Sequence, residues 1–253
     1  MIRHLFWLPL IGACLLAIFA VTSTAKAGVV VGGTRVVFNE SSREQTVQIT
    51  NQGTSPAMVQ SWIDDGQADA RPRHIQVPFV LTPPLTRLEP GQGQTLRIAY
   101  LPLPDKPLPT DRATVYYLNV LEIPPTSDEH KGKNTLQLAV RTRIKLFFRP
   151  KGVEGMPREA ATKLVWRVDG GASGRYLTVE NPTSYYVSIN QAVVSDGAQT
   201  DTPTMVAPHE SARMPLGAKA IEKLPNAGMV AFQWIDDYGA SVENITSLTS
   251  HDE

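Results

Sequence analysis

Apolar and polar residues alternate from Asn134 to Pro150. Leu136, Leu138, Val140, Ile144, Leu146 and Phe148 share one parity, and Gln137, Arg141, Arg143 and Lys145 share the other. A period of two predicts a strand with one apolar face. The stretch is longer than an average strand, and Pro150 ends it because proline has no N–H to give a ladder.

Shorter runs of the same kind fill the rest of the chain. Before this stretch, strands are expected at Val29–Val31, Val36–Phe38, Thr46–Thr50, Ala57–Ile63, Phe79–Leu81, Leu96–Tyr100 and Val115–Ile123. Turn signals separate them: Gly32-Gly33, Asp64-Asp65-Gly66, Glu89-Pro90-Gly91 and Pro124-Pro125. Strands at this spacing predict a β-sandwich. Beyond Pro150, Lys151–Glu159 is rich in glycine and proline and reads as a linker. A second set follows at Leu164–Val168, Tyr176–Glu180, Tyr185–Ile189, Thr204–Ala207, Met229–Ile235 and Val242–Ile245. The expected fold class is all-β, with two sandwich domains over residues 28–150 and 151–253.

The first 27 residues do not fit this picture. Arg3 and His4 precede an apolar run, Leu5 to Phe19, and Ala25-Lys26-Ala27 has the small-x-small form of a cleavage site. Met1–Ala27 is therefore expected to be a cleaved secretory signal, with the mature chain starting at Gly28. The run is short for a spanning helix, and no stable membrane insertion is expected. The single cysteine, Cys14, lies in this leader, so the mature chain has no disulfide or thiolate ligand. Lys and Arg number 24, as do Asp and Glu. That balance gives no reason to expect a nucleic-acid surface.

No catalytic constellation is apparent. No two of His4, His74, His130, His209 and His251 have metal-ligand spacing. Gly171-Ala172-Ser173-Gly174 is followed by Arg175, where a nucleophile elbow needs glycine. Gly91-Gln92-Gly93 precedes no helix. The expectation is a binding protein without metal or cofactor. Trp62, Trp166 and Trp234 lie in strand contexts and read as core, which weakens the alternative of a secreted two-domain adhesin or carbohydrate-binding module.

Two readings of the long strand stand at this point. Its apolar face can pack inside its own sandwich, the ordinary fate of such a face. Alternatively Leu136, Leu138 and Val140 lie on an uncovered sheet edge that invites another chain to pair. Arg35 and Lys145 each flank apolar strand residues. If they converged between domains they would suit a carboxylate, which arginine binds bidentately and lysine attracts as a point charge.

Leu-Gln-Leu-Ala-Val-Arg-Thr-Arg-Ile-Lys-Leu-Phe-Phe-Arg-Pro, residues 136–150, closely resembles the signature strand of periplasmic pilus-assembly chaperones, the PapD and FimC family. Thr34–Phe38, Thr82-Pro83-Pro84, Arg87–Gly91, Glu122–Pro125, Glu180–Val187 and Asp237-Tyr238-Gly239 extend the resemblance over the mature chain. It implies two immunoglobulin-like domains in an L or boomerang shape. It also implies a non-enzymatic periplasmic chaperone that holds pilus subunits lacking a final strand and yields them to an outer-membrane usher. Leu136, Leu138 and Val140 would then be donor-strand residues filling the subunit's groove. Arg35 and Lys145 would anchor the subunit's C-terminal carboxylate. Arg149 and Asp237 match an inter-domain ionic cluster, but Ala113 stands where a glutamate is common, and Asp111 is the candidate substitute. The second domain lacks a cysteine pair that some members carry. The short loop Thr126–Lys133 resembles the short-loop branch, which points to rod-like pili. Self-association of the free protein would also cover its exposed edge.

Overall fold

A computed structural model describes residues 28–125, 136–171, 174–200, 202–219 and 228–249. The expected leader with Cys14, and the loop Thr126–Lys133, lie outside the described residues. Among the described residues, no helix is long and apolar enough to cross a membrane.

The first domain is two facing sheets. One runs β1 (Val29–Val31), β3 (Glu44–Asn51), β7 (Gly93–Tyr100), β5 (Phe79–Thr82). The other runs β2 (Arg35–Asn39), β9 (Val140–Arg149), β8 (Thr114–Ile123), β4 (Ala57–Asp64), β6 (Leu85–Leu88). Alternation drives both: in β7, Leu96 and Ile98 are fully buried while Thr95 and Arg97 face out. Phe38, Ile49, Val59, Leu88, Leu118, Leu146 and Phe148 fill the space between the sheets. Phe38, Phe79, Tyr100 and Phe148 form an aromatic cluster there, with the Tyr100 and Phe148 rings 4.4 Å apart.

The second domain is one continuous ladder. Its order is β10 (Val165–Gly171), β11 (Gly174–Glu180), β15 (Ser211–Lys219), β13 (Ala198–Thr200), β12 (Val187–Val194), β16 (Met229–Ile235), β17 (Ser241–Ser247). A further short strand, β14 (Thr204–Val206), pairs with β12. Trp166, Leu177, Ile189, Met214 and Phe232 lie at the centre of its core. A single helical turn, α1 (Pro157–Ala160), starts on a proline that presets φ and needs no N–H partner there. It follows β9 in the chain, and its Ala160 packs into the second core.

Two short strands, β6 and β13, are not predicted by the sequence pattern, and three further expectations need correction. The strand expected from Asn134 joins its ladder only at Val140, because β8 ends at Ile123 and the described residues offer 136–139 no partner strand. Ser211–Lys219 is a strand that the sequence pattern does not predict. Pro215 and Gly217 obscure one there, although Met214 is buried and alternates with exposed Arg213 and Pro215. Trp62 is half-buried, whereas Trp166 and Trp234 are core as expected.

Candidate functional site: an open strand edge ending at a two-cation cleft

The two parities of β9 have different neighbours. The even positions Ile144, Leu146 and Phe148 are buried in the first domain's core. Of the odd positions, Arg141 and Arg143 bond within the first domain, whereas Lys145, Phe147 and Arg149 face the second. Lys145 Nζ donates to Ser188 Oγ at 3.0 Å, the Phe147 ring lies 5.7 Å from that of Tyr186, and Arg149 pairs with Asp237. Lys145 thus has the parity opposite to the donor candidates because the cleft lies on the other face of the same sheet.

The even apolar row continues beyond its own core. Leu136, Leu138 and Val140 are 85%, 68% and 59% exposed. Gln137, of the odd parity, donates to the carbonyl of Pro124 at 2.8 Å and ties this segment to the end of β8. β8 pairs with β9 on one side from Val140 to Phe148. On the other side β2 begins only at the Arg35–Lys145 rung and runs parallel to Arg149. Among the described residues, the backbone edge from Val140 to Ile144 therefore has no strand beside it. Such an edge presents unpaired N–H and C=O groups.

The edge stops where the two cations meet. Arg35 and Lys145 are Cα partners in the parallel ladder. Arg35 Nη1 donates to the Ile235 carbonyl at 2.9 Å, so both cations touch the second domain. Burial pushes the Lys145 ammonium below its ordinary pKa, and the charge of Arg35 adds to the shift. Burial also lowers Arg35, against the attraction of Asp237 and Asp236. Its Nε is buried with no hydrogen-bond partner among the described residues. Two desolvated cations with an unused donor form a site that a carboxylate would complete.

Two ion pairs hold this geometry. Arg149 donates to Asp237 through both terminal nitrogens, at 2.8 and 2.6 Å, across the domain boundary. The turn carrying Asp237 is itself fixed. Asp236 Oδ1 accepts the N–H groups of Tyr238 and Ala240, and Gly239, at φ +88°, packs where a Cβ would lie 2.4 Å from Thr34 Oγ1. Arg149→Ala is expected to lower stability by about 1–2 kcal/mol and to broaden the inter-domain distance distribution in small-angle scattering. An unchanged scattering profile would contradict a clamp role for the pair.

The second ion pair was not anticipated from the sequence. Arg143 donates to both carboxylate oxygens of Asp64, at 3.0 and 2.6 Å, and lies 3.6 Å above the Tyr117 ring. Asn119 donates to Asp64 at 2.7 Å. Burial would raise the Asp64 pKa, but hydrogen bonds from Arg143, Asn119 and the Gly66 N–H outweigh it and hold the carboxyl below its ordinary value. In the sequence, Asp64 signalled only a turn. Asp111 pairs with its neighbour Arg112 at 3.3 Å. Ala113, two positions beyond Asp111, contributes to the domain junction through its backbone, donating to the Ser184 carbonyl at 2.9 Å.

Comparison with known proteins matches both domains of the chain. Residues 28–154 match the pili and flagellar-assembly chaperone family, PapD N-terminal domain, and residues 159–246 match the pili assembly chaperone PapD, C-terminal domain. The chaperone protein FimB/FhaD of Bordetella pertussis is 46% identical over 236 residues, covering 90% of this chain and 91% of that protein. The crystal structure of the YadV chaperone, whose sequence is known from Escherichia coli, superposes with a TM-score of 0.71 at 36% identity, covering 88% of this chain and 100% of that one. The SafB chaperone of Salmonella enterica, solved in complex with the SafA pilin, gives 0.72 at 27% identity, covering 87% and 96%. With both domains matched in order and relatives aligned along most of their length, the chain belongs to the PapD-like family of fimbrial assembly chaperones, which are binding proteins and not enzymes.

Proposed function

We propose that this protein works in the periplasm, after removal of Met1–Ala27, as a chaperone for pilus subunits with an incomplete immunoglobulin-like fold. Residues 28–150 and 151–253 form its two domains. It supplies the missing strand, keeps the subunit folded, and yields it to an outer-membrane usher. The observation that carries this reading is the continuity of three features on one strand: an exposed apolar row, an open backbone edge, and a two-cation cleft at the end of that edge.

The geometry also suggests a direction. A guest strand beside Val140–Ile144 that ends with its carboxylate at Arg35 and Lys145 must run the same way as β9. Its backbone takes up the free ladder groups, each bond contributing about 1 kcal/mol net. Leu136, Leu138 and Val140 enter the guest's groove, each contributing about 1.5–3 kcal/mol on burial. The carboxylate fixes the register, since a one-residue slip would turn the guest's side chains to the wrong face.

Leu138→Asp tests the reading. A carboxylate forced into an apolar groove costs several kcal/mol, so recovery of subunits with the chaperone from periplasm is expected to fall to about a tenth or less. The unfolding temperature should stay within about 1–2 °C, because an exposed side chain contributes little to the fold. Undiminished subunit recovery would refute the donor-strand assignment.

A further inference from the structure

A different site lies at the opposite end of the open edge. Val29 donates its N–H to Glu122 Oε2 at 2.9 Å, and Gly28 accepts from the Gln52 N–H through its carbonyl at 2.9 Å. The Glu122 carboxylate also lies directly against Gly28. A Cβ added there would sit 2.1 Å from Oε1, 2.4 Å from Oε2 and 2.5 Å from Cδ. The carboxylate thus spans the Val29 N–H and the Cα of Gly28, and the Gly28 nitrogen is one covalent bond, about 1.46 Å, from that Cα.

The position of Glu122 gives this contact reach. It lies on β8 as the ladder partner of Val140, the rung nearest the donor row. Val29 lies on β1, a three-residue edge strand of the opposite sheet, paired only with β3 among the described residues. Glu122 therefore bridges the two sheets at the mouth of the sandwich. Beyond this contact the strand is held by its three rungs to β3 and by Val29 and Val31 against the core, so a charge-assisted bond at its first residue adds appreciably to so short an edge.

We infer that Glu122 is the binding site for the α-ammonium group that leader removal creates at Gly28. This rests on the proposed cleavage after Ala27. While the leader is attached, the Gly28 nitrogen is a neutral amide and gives the carboxylate no opposite charge. Hydrolysis of the Ala27–Gly28 peptide bond leaves a carboxylate on Ala27 and a protonated amine on Gly28. That amine is placed to form a charge-assisted hydrogen bond with Glu122. Maturation then tightens β1 against the sandwich beside Val140. Glycine is suited to the position because any side chain would displace the carboxylate.

Four purified full mature chains test this: the native chain from periplasm, Glu122→Gln, a chain with two serines before Gly28, and that extended chain carrying Glu122→Gln. Intact mass of the first establishes whether it starts at Gly28. The native chain is expected to melt about 2–4 °C above the extended one. The gap should vanish in the Glu122→Gln background, because the extension moves the ammonium away and glutamine removes its partner. Equal melting of the native and extended chains, or a gap that survives Glu122→Gln, overturns the inference. A start other than Gly28 overturns the cleavage reading beneath it, and the mass alone reveals that.

Discussion

Lys145→Ala is expected to weaken subunit capture about 100-fold or more while leaving the chaperone as stable as before. Truncating one member of a buried, hydrogen-bonded charge pair costs about 2–5 kcal/mol of binding, and each 1.4 kcal/mol is tenfold. Stability behaves differently because the free protein gains little from this charge. Burial and the nearby Arg35 both disfavour the ammonium, and its contact with the second domain is to a neutral hydroxyl, Ser188. Removing it relieves its repulsion with Arg35. The same physics sets a pH dependence. The ammonium must be protonated to hold a carboxylate, and its pKa in the free protein is lowered, so affinity should decline at a pH below the ordinary lysine range. Titration calorimetry of a subunit's C-terminal segment across alkaline pH, with Lys145→Ala as the flat control, would show it. Arg35→Ala should lose binding too, but it also gives up the bond to the Ile235 carbonyl, so it is the less clean test. Normal subunit yield from Lys145→Ala would remove the cleft from the mechanism.

The largest stability effect is expected at Asp64. Its side chain is 1% exposed and that of Arg143 is 23% exposed, so Asp64→Ala leaves a partly buried guanidinium and the Asn119 amide without their acceptor. Asn119 keeps only its longer bond to the Tyr117 carbonyl, at 3.3 Å. Breaking such a pair costs about 3 kcal/mol, at the lower end of the buried range because Arg143 retains some hydration. The first domain should melt roughly 10 °C lower. The sign with pH follows from the depressed Asp64 pKa. Its stabilisation is fully present above the ordinary carboxylate value and is lost as pH falls through the lowered one. The melting gap between the native chain and Asp64→Ala should therefore be wide at neutral pH and narrow in strong acid. Calorimetry at both conditions checks it, and equal melting at neutral pH would assign the network no stabilising role.

The fold was largely legible because alternation with turn signals is a local property. Leu96 and Ile98, or Leu146 and Phe148, announce an inward face without reference to any partner. What was not legible depends on pairs remote in the chain. Nothing near Asp64 signals that Arg143, 79 positions away, donates to it. Likewise, only the parallel register of β2 and β9 brings Arg35 beside Lys145. Parity showed that Lys145 and Leu138 face opposite ways, but not that a second domain waits on the lysine's side. Ser211–Lys219 escaped for a different reason. Its proline and glycine contradict strand propensity, and pairing with β11 on one side and β13 on the other overrides them.

The change in environment along β9 also bears on how such a protein can diversify. Ile144, Leu146 and Phe148 are constrained by their own fold, and altering them would incur the losses of any packed core. Leu136, Leu138 and Val140 belong to the same apolar row but make almost no demand on the molecule that carries them. On the proposed function, substitutions there would alter the partner preference and leave the carrier's stability nearly untouched. On the same reading, residues 136–140 would be free to drift with the surfaces of successive partners, while Arg35 and Lys145 would meet a main-chain carboxylate that every polypeptide ends with. β9 and its neighbour β2 would thus separate a variable code from a constant one.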